Sequence, residues 1–511
     1  MRRWLASAAM CGVALNGWAQ QRSVVARPDA FVERPRVLVI SDIGNEPDDQ
    51  MSLLRLLLYS NEMEIEGLVA ATSTWQKTAT HAETMHELVK AYGEVRGNLQ
   101  QHASGWPEAA ALDGVIATGQ PGYGMAATGA GKDSAGAAEI VRAVDREDAR
   151  PLWISIWGGA NTLAQALISV RATRSPEQVK TFVSKLRVMS ISDQDDAGPW
   201  IRREFPELFY VVQPSNPDGS SYAYATWTGI SGDAYYRNGG PTAVAQPHAC
   251  EGADTSVVTN EWLDANVRSK GSYGKHYPRF LFIMEGDTSA YLNLIGNGLN
   301  GYQRPDWGGW GGRYLYLRPY GETHAIWTQG GDSFSRVTSS DTVVGVDGRE
   351  HTSDQATVWR WRDAFQNDFA ARMDWTVKDF AHANHEPELV VNGVAGHETM
   401  ELDAAVGQPL VLDAAGSHDR DAGQTLRYAW FEYGEAGAAS GSPAVVRLEG
   451  ADTSRVTVTP VSACTATWLP KLMPCQGDGD AHIILAVTDD GTPALTSYRR
   501  VVVHVKERPA D

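Results

Sequence analysis

Only four cysteines occur among the 511 residues, and one of them falls within the first twenty positions. No CxxC pair and no Cys/His spacing of the zinc kind is present, which argues against a thiolate-held structural zinc. Basic residues are also short: 44 Lys and Arg stand against 62 Asp and Glu, a formal net charge of −18. Without a basic stripe to track a phosphate backbone, nucleic-acid binding is not expected. Beyond the amino terminus no apolar run reaches the ~20 residues that a membrane-spanning helix needs, so no membrane partner is expected. Long repeats and low-complexity tracts are absent too, which leaves ordinary globular domains, and a chain of this length predicts more than one.

The amino terminus is laid out for export. Arg2 and Arg3 precede an apolar run from Trp4 to Leu15, and Gly17-Trp-Ala19 follows it before Gln20 and Gln21. We read residues 1–20 as a signal peptide cleaved near Ala19 or Gln20, which predicts a secreted or periplasmic protein; the run is too short for a membrane anchor. Export would leave Cys250, Cys464 and Cys475 in an oxidising compartment. A Cys464–Cys475 disulfide is expected from their closeness in sequence, with Cys250 as the odd thiol or in a longer-range pairing.

What is present is a repeated βα rhythm. Val37-Leu-Val-Ile40 is continuously apolar, as a buried parallel strand is, and an unbroken helical segment follows from Asp49 to Tyr59. The alternation returns at Ile65–Ala70, at Leu152–Ile156 before a helix from Asn161 to Val170, at Val188–Met189, and at Phe280–Met284 before a helix from Ser289 to Leu294. This pattern predicts an α/β domain over residues 30–383, a mostly parallel sheet with helices on both faces, with ligands beyond the carboxyl ends of the strands. A turn-rich stretch, Ala383-Asn-His-Glu-Pro387, reads as a linker. Short alternating strands at 409–412, 427–431, 456–458, 483–487 and 501–505 then predict an immunoglobulin-like β-sandwich over residues 388–508.

The turn after the first strand, Asp42-Ile-Gly-Asn-Glu-Pro-Asp48-Asp49, crowds three aspartates into eight residues. Like charges this close raise one another's pKa unless a cation neutralises them, and calcium, which takes six to eight oxygens, is the natural ion. The plainer reading is that Asp48 caps the following helix and Asp42 faces solvent.

This turn resembles the first-strand signature Asp-x-Asp-x-x-x-Asp-Asp of the inosine–uridine-preferring nucleoside hydrolase superfamily. Asp42, Asp48 and Asp49 fall on its first, third and fourth aspartates, and Gly44 stands at the second. In that family the second aspartate ligates calcium and serves as general base; a local insertion would pass the role to Asp42. Val69-Ala-Ala-Thr72-Ser-Thr-Trp75-Gln-Lys-Thr78, Gly158-Gly-Ala-Asn161-Thr-Leu-Ala164 and Val188-Met-Ser190-Ile-Ser192 are similar to later family segments, and Met284-Glu285-Gly-Asp287 resembles the late His-Asp pair. By this resemblance Asp42, Asp49, Asp287 and a carbonyl at Ser190 would hold calcium, Asp42 or Asp48 would activate water, and Glu285 would act as the acid. Asn45, Thr72 and Asn161 would bind the sugar. Trp307-Gly-Gly-Trp310-Gly-Gly-Arg-Tyr314 and Gln355-Ala-Thr-Val-Trp-Arg-Trp-Arg362 look like the cellulose-binding, nucleoside-hydrolase-like family of bacteria and fungi.

Seventeen tryptophans are many for this length, and flat aromatic faces stack on sugar rings. Trp75, Trp307 and Trp310 are therefore expected to bind substrate, ordinary packing being the alternative for each. Together these features predict an exported, calcium-dependent glycoside hydrolase acting on a plant-wall or microbial saccharide, a furanoside suiting the inherited geometry. The alternative is a polysaccharide-binding protein that keeps the fold and ion without turnover. The carbohydrate is the expected partner, and the resemblance leaves a homo-oligomer open.

Overall fold

The computed structural model describes residues 27–214, 225–232, 252–280, 283–330, 339–437, 443–464 and 477–507. The expected signal peptide lies outside them, as do Cys250 and Cys475. Cys464 is disulfide-bonded. Among the described residues no helix is long and apolar enough to cross a membrane.

The amino-terminal half is built on strands β1 (Arg36–Ser41), β2 (Glu64–Ala70), β3 (Ile116–Thr118), β4 (Leu152–Ile156), β5 (Leu186–Ser190), β6 (Phe209–Val212), β7 (Leu315–Leu317) and β8 (Ile326–Thr328). They form one eight-stranded sheet in the order β3-β2-β1-β4-β5-β6-β8-β7. Every pairing is parallel except β7 with β8. Alternation along β1 shows why the sheet is buried on both faces. Val37 and Val39 enter one apolar cluster with helices α1 (Pro47–Leu57) and α2 (Ala82–Leu99), whereas Leu38 and Ile40 enter another with α3 (Ala135–Asp145) and α4 (Asn161–Thr173). A continuous apolar strand is what such a doubly covered position requires.

The strand expected at Phe280–Met284 lies partly outside the described residues. Leu281 and Phe282 fall outside the described residues, and Phe280, Ile283 and Met284 are not in a strand. The backbone of Met284 is engaged by a side chain instead: its carbonyl accepts from Ser231 Oγ at 2.7 Å and its N–H donates to the same oxygen at 3.0 Å. The sheet is completed by β8 and β7 from later in the chain.

The carboxyl-terminal region is β-rich. Strands β13 (Met400–Ala405), β15 (Arg427–Glu432), β18 (Gly479–Thr488) and β19 (Thr496–Lys506) make one sheet, and β14 (Leu410–Asp413), β16 (Val445–Glu449) and β17 (Arg455–Ser462) another. Short hairpin pairs β9 (Asp341–Val344) with β10 (Glu350–Ser353) and β11 (Val390–Val391) with β12 (Val394–Ala395) precede them. Leu412, Val456 and Val458 of the smaller sheet share one core with Trp430, Leu485 and Val503 of the larger.

The two halves are joined through buried polar and aromatic groups. Arg500 of β19 is wholly buried and donates to the carbonyls of Leu299 (2.6 Å), Trp307 (3.0 Å) and Gly308 (2.9 Å). Beside it, Trp361 packs edge-on against Tyr433 and Tyr498 at centroid distances of 5.9 and 5.5 Å. A guanidinium satisfied by three carbonyls gives the contact a fixed geometry that apolar packing alone would not.

Candidate functional site

Beyond the carboxyl ends of the parallel strands lies a pocket of about 270 Å³, lined by Asp42, Asn45, Glu46, Asp48, Asp49 and Asp287 on one side and by Trp75, Trp157, Trp227, Ile191, Ser192 and Gln194 among the rest. Its acidic side begins where β1 stops. Ser41 Oγ accepts the Ile43 N–H at 3.0 Å and donates to Asp49 Oδ1 at 2.5 Å, which ties the strand end to the start of α1. Gln76, from the loop after β2, holds the turn by donating to the carbonyls of Asp42 (3.0 Å) and Ile43 (3.3 Å). Pro47 opens α1, where its missing N–H costs nothing, and both Asp48 and Asp49 are buried in that first turn. Asp48 does not cap the helix, since the capping position is Glu46 and makes no side-chain cap bond.

Gly44 has a structural reason to be glycine. Its φ is +104°, and a Cβ there would lie 2.6 Å from the His81 ring. Asp42 lines the pocket, and a side chain at position 44 would be directed at His81. The residue at the signature's second aspartate is thus a conformational glycine.

Asp48, Asp49 and Asp287 present carboxylate oxygens all within 4.8 Å of one another, and all three are buried. Gly286 permits this approach, because a Cβ on it would stand 2.9 Å from Asp48 Oδ2. Crowding has the expected electrostatic result. Burial, with Glu46 nearby, pushes Asp42 up to about 6. Burial, together with repulsion from Glu46 and Asp42, pushes Asp48 up to about 7. Asp49 and Asp287 are driven well above the usual carboxylate range by burial first and by their acidic neighbours second. Asp287 Oδ2 is buried without a hydrogen-bond partner in the protein. Hard oxygen donors, mutual repulsion and an orphaned buried oxygen fit a divalent cation of the calcium type.

Several expected site residues lie elsewhere. Glu285, the expected acid, is fully buried with its carboxylate 2.7 Å from Arg55 and accepting from Tyr277 Oη at 2.5 Å and Thr288 Oγ1 at 3.0 Å. Its φ is 56°, and it is not among the residues that line the pocket. Thr72 and Asn161 are also absent from the lining. Both donate to the Gly122 carbonyl, at 3.1 and 2.7 Å, and so brace the loops behind the site. Ser190 Oγ donates to the Ser192 carbonyl at 2.7 Å, and the wall is formed by Ile191 and Ser192. Trp307 and Trp310 are buried. Trp307 sits edge-on to His482 at 5.4 Å in the contact between the halves, and Trp310 packs against Phe365 at 6.3 Å. Trp75 alone of the three proposed platforms stands at the pocket mouth, 52% exposed.

Glu46, Ser192, Gln194 and Trp227 also line the pocket and were not expected there from the sequence. Glu46 lay in plain view inside the aspartate turn. Ser192 and Gln194 follow a strand end, the one positional signal that could have found them; Trp227 comes from a short 3₁₀ segment with no such mark.

A family model, "Cellulose-binding Sde182, nucleoside hydrolase-like domain", matches residues 36–314. The chain belongs to this family. A second model, "Cellulose-binding protein Sde0182, C-terminal domain", matches residues 409–505. Among solved structures, a nucleoside hydrolase-related hypothetical protein from Saccharophagus degradans, associated with carbohydrate metabolism, is 35% identical and covers 93% of this chain and 100% of its own, with a TM-score of 0.72. The type III effector XopQ complexed with adenosine diphosphate ribose is 13% identical over 62% of this chain and 93% of its own, TM-score 0.29. The PKD domain of the KIAA 1837 protein is 26% identical over 22% of this chain and 84% of its own, TM-score 0.15. The last two are too remote to carry an argument. Comparison with curated proteins finds no match. The Sde182-family chain thus has its family's α/β region and β-rich region, with the acidic pocket inside the first.

Proposed function

We propose that this protein is an exported, calcium-dependent glycoside hydrolase that acts on a saccharide of plant-wall or microbial origin. The observation that carries the reading is the strand-end convergence of Asp48, Asp49 and Asp287 within 4.8 Å, with Asp42 in the same pocket. Asp48, Asp49 and Asp287 would hold the ion, which when bound supplies positive charge at the strand ends and acidifies water there. Asp42 accepts the proton of the attacking water, and a carboxyl held near 6 by burial is suited to that work near neutral pH. Glu46, which lines the pocket and is raised by burial, takes the acid role in place of Glu285, which pairs with Arg55. Trp75 offers a stacking face for the next sugar ring, and Asn45 a hydrogen-bonding side chain beside it. The volume is near the lower end of the ~300–1,000 Å³ of small-ligand pockets, which suits a single sugar unit at a chain end. The family description supports a saccharide partner, and the β-rich region, which we read as immunoglobulin-like, would brace the α/β region or hold polymer.

The test is release of reducing sugar from furanosides and wall polysaccharides with calcium and with chelator. Wild type should act only with calcium, and Asp42→Asn should lose turnover while keeping ligand. A second reading, a saccharide-binding protein without turnover, is favoured by one observation: Glu285 is locked to Arg55 away from the pocket. Saccharide binding with no release across that panel would select it.

A further inference from the structure

Two residues of the pocket lining carry a buried oxygen with no partner. Gln194 is 7% exposed, and its Nε2 donates to the Trp157 carbonyl at 2.6 Å, which fixes the amide and leaves Oε1 buried and unpartnered. Ser192 is 2% exposed; its carbonyl is engaged by Ser190, and its Oγ has no partner. The segment is rigid, because the adjacent Asp195 accepts from the N–H groups of Ala197 (2.9 Å) and Asn161 (3.0 Å). A buried acceptor left unmade is costly, and Gln194 and Ser192 both line the pocket.

We propose that Gln194 and Ser192 are the hydroxyl-reading residues of the pocket, and that they select a neutral sugar unit over an acidic one. This rests on the saccharide reading above. Gln194 Oε1 can only accept, so its ligand must donate, as a hydroxyl does and an ionised carboxylate does not. Charge points the same way. Asp42, Glu46, Asp48, Asp49 and Asp287 line the pocket, and no lysine or arginine does among the described residues. One divalent cation leaves such a pocket net negative, so a uronate, sulfate or phosphate on the bound unit is repelled. A site that hydrogen-bonds a ligand hydroxyl also rejects the analogue lacking it, by more than an apolar pocket can.

The experiment measures binding by the full-length, calcium-loaded protein to soluble neutral oligosaccharides (cello-, galacto- and arabino-oligomers) and to the uronate counterparts of the first two, by calorimetry and tryptophan fluorescence. Neutral ligand should bind at least about tenfold tighter than its uronate partner, and Gln194→Leu should weaken it roughly ten- to a hundredfold with calcium uptake unchanged. Ser192→Ala, which removes one hydroxyl and disturbs folding least, should weaken it several-fold. Equal or tighter uronate binding overturns the selectivity, and neutral binding unchanged in both variants overturns the assignment. Failure of wild type to bind any oligomer of either kind overturns the saccharide reading, and this inference with it.

Discussion

Arg55 Nε lies 2.7 Å from Glu285 Oε2, with both side chains fully buried. The Arg55 guanidinium also stands 4.0 Å from the centre of the Phe369 ring. A charge that far from water needs its counterion, and Glu285 supplies it. Glu285→Ala should lose about 3–5 kcal/mol of stability, the usual cost of stranding one member of a buried pair. Denaturant unfolding checks it, with the paired replacement Arg55→Met, Glu285→Leu recovering much of the loss. A variant as stable as wild type but without activity would return Glu285 to the site.

The acidic pocket makes ion-free stability depend on pH in a definite direction. Asp42 and Asp48 titrate at about 6 and about 7 in the fold, above the ~3.9 of an unfolded aspartate. Between those limits the folded state holds more protons than the unfolded state, so stability should fall as pH rises from about 4 to about 7. Below that window both states are protonated and the penalty vanishes. Calcium favours the ionised carboxylates and should flatten the slope. Thermal melts at pH 5 and pH 7.5, with chelator and with millimolar calcium, measure this; equal slopes in both would contradict it.

Gly44→Ala should cost roughly 1–3 kcal/mol, because φ is +104° and the new Cβ meets His81. Gly44→Asp should not raise activity, since that position faces His81 and Asp42 already stands in the pocket. A gain in turnover from Gly44→Asp would show that the superfamily's second aspartate is truly missing.

The tryptophans separate by burial. Trp75→Ala should leave melting unchanged and weaken saccharide binding by about 1 kcal/mol, the scale of an aromatic face beyond its area. Trp307→Ala should do the reverse, costing about 3–5 kcal/mol of stability with binding intact in the folded fraction. Melts and titrations on the same samples distinguish them.

How far these roles were legible depends on whether their cause is local. Val37–Ile40 and the aspartate turn announce a buried strand and a carboxylate cluster because strand, turn and helix start are contiguous. Asp287 could be placed by its strand-end-like context even though Ile283 and Met284 before it are not in a strand. Glu285, two residues away, could not, because its partner is Arg55, far earlier in the chain. Trp307 and Trp310 carry no mark of the distant β19 and α/β elements that bury them. Gln194 and Ser192 are ordinary polar residues until the fold shows which of their atoms are left without partners.

The central claim is that Asp48, Asp49 and Asp287 form one cation site. Calcium titration by calorimetry into chelator-treated, full-length protein tests it most directly, with Asp287→Asn run alongside. The account predicts that wild type takes up calcium and that the variant loses one equivalent while remaining folded. Identical isotherms for the two proteins would contradict it.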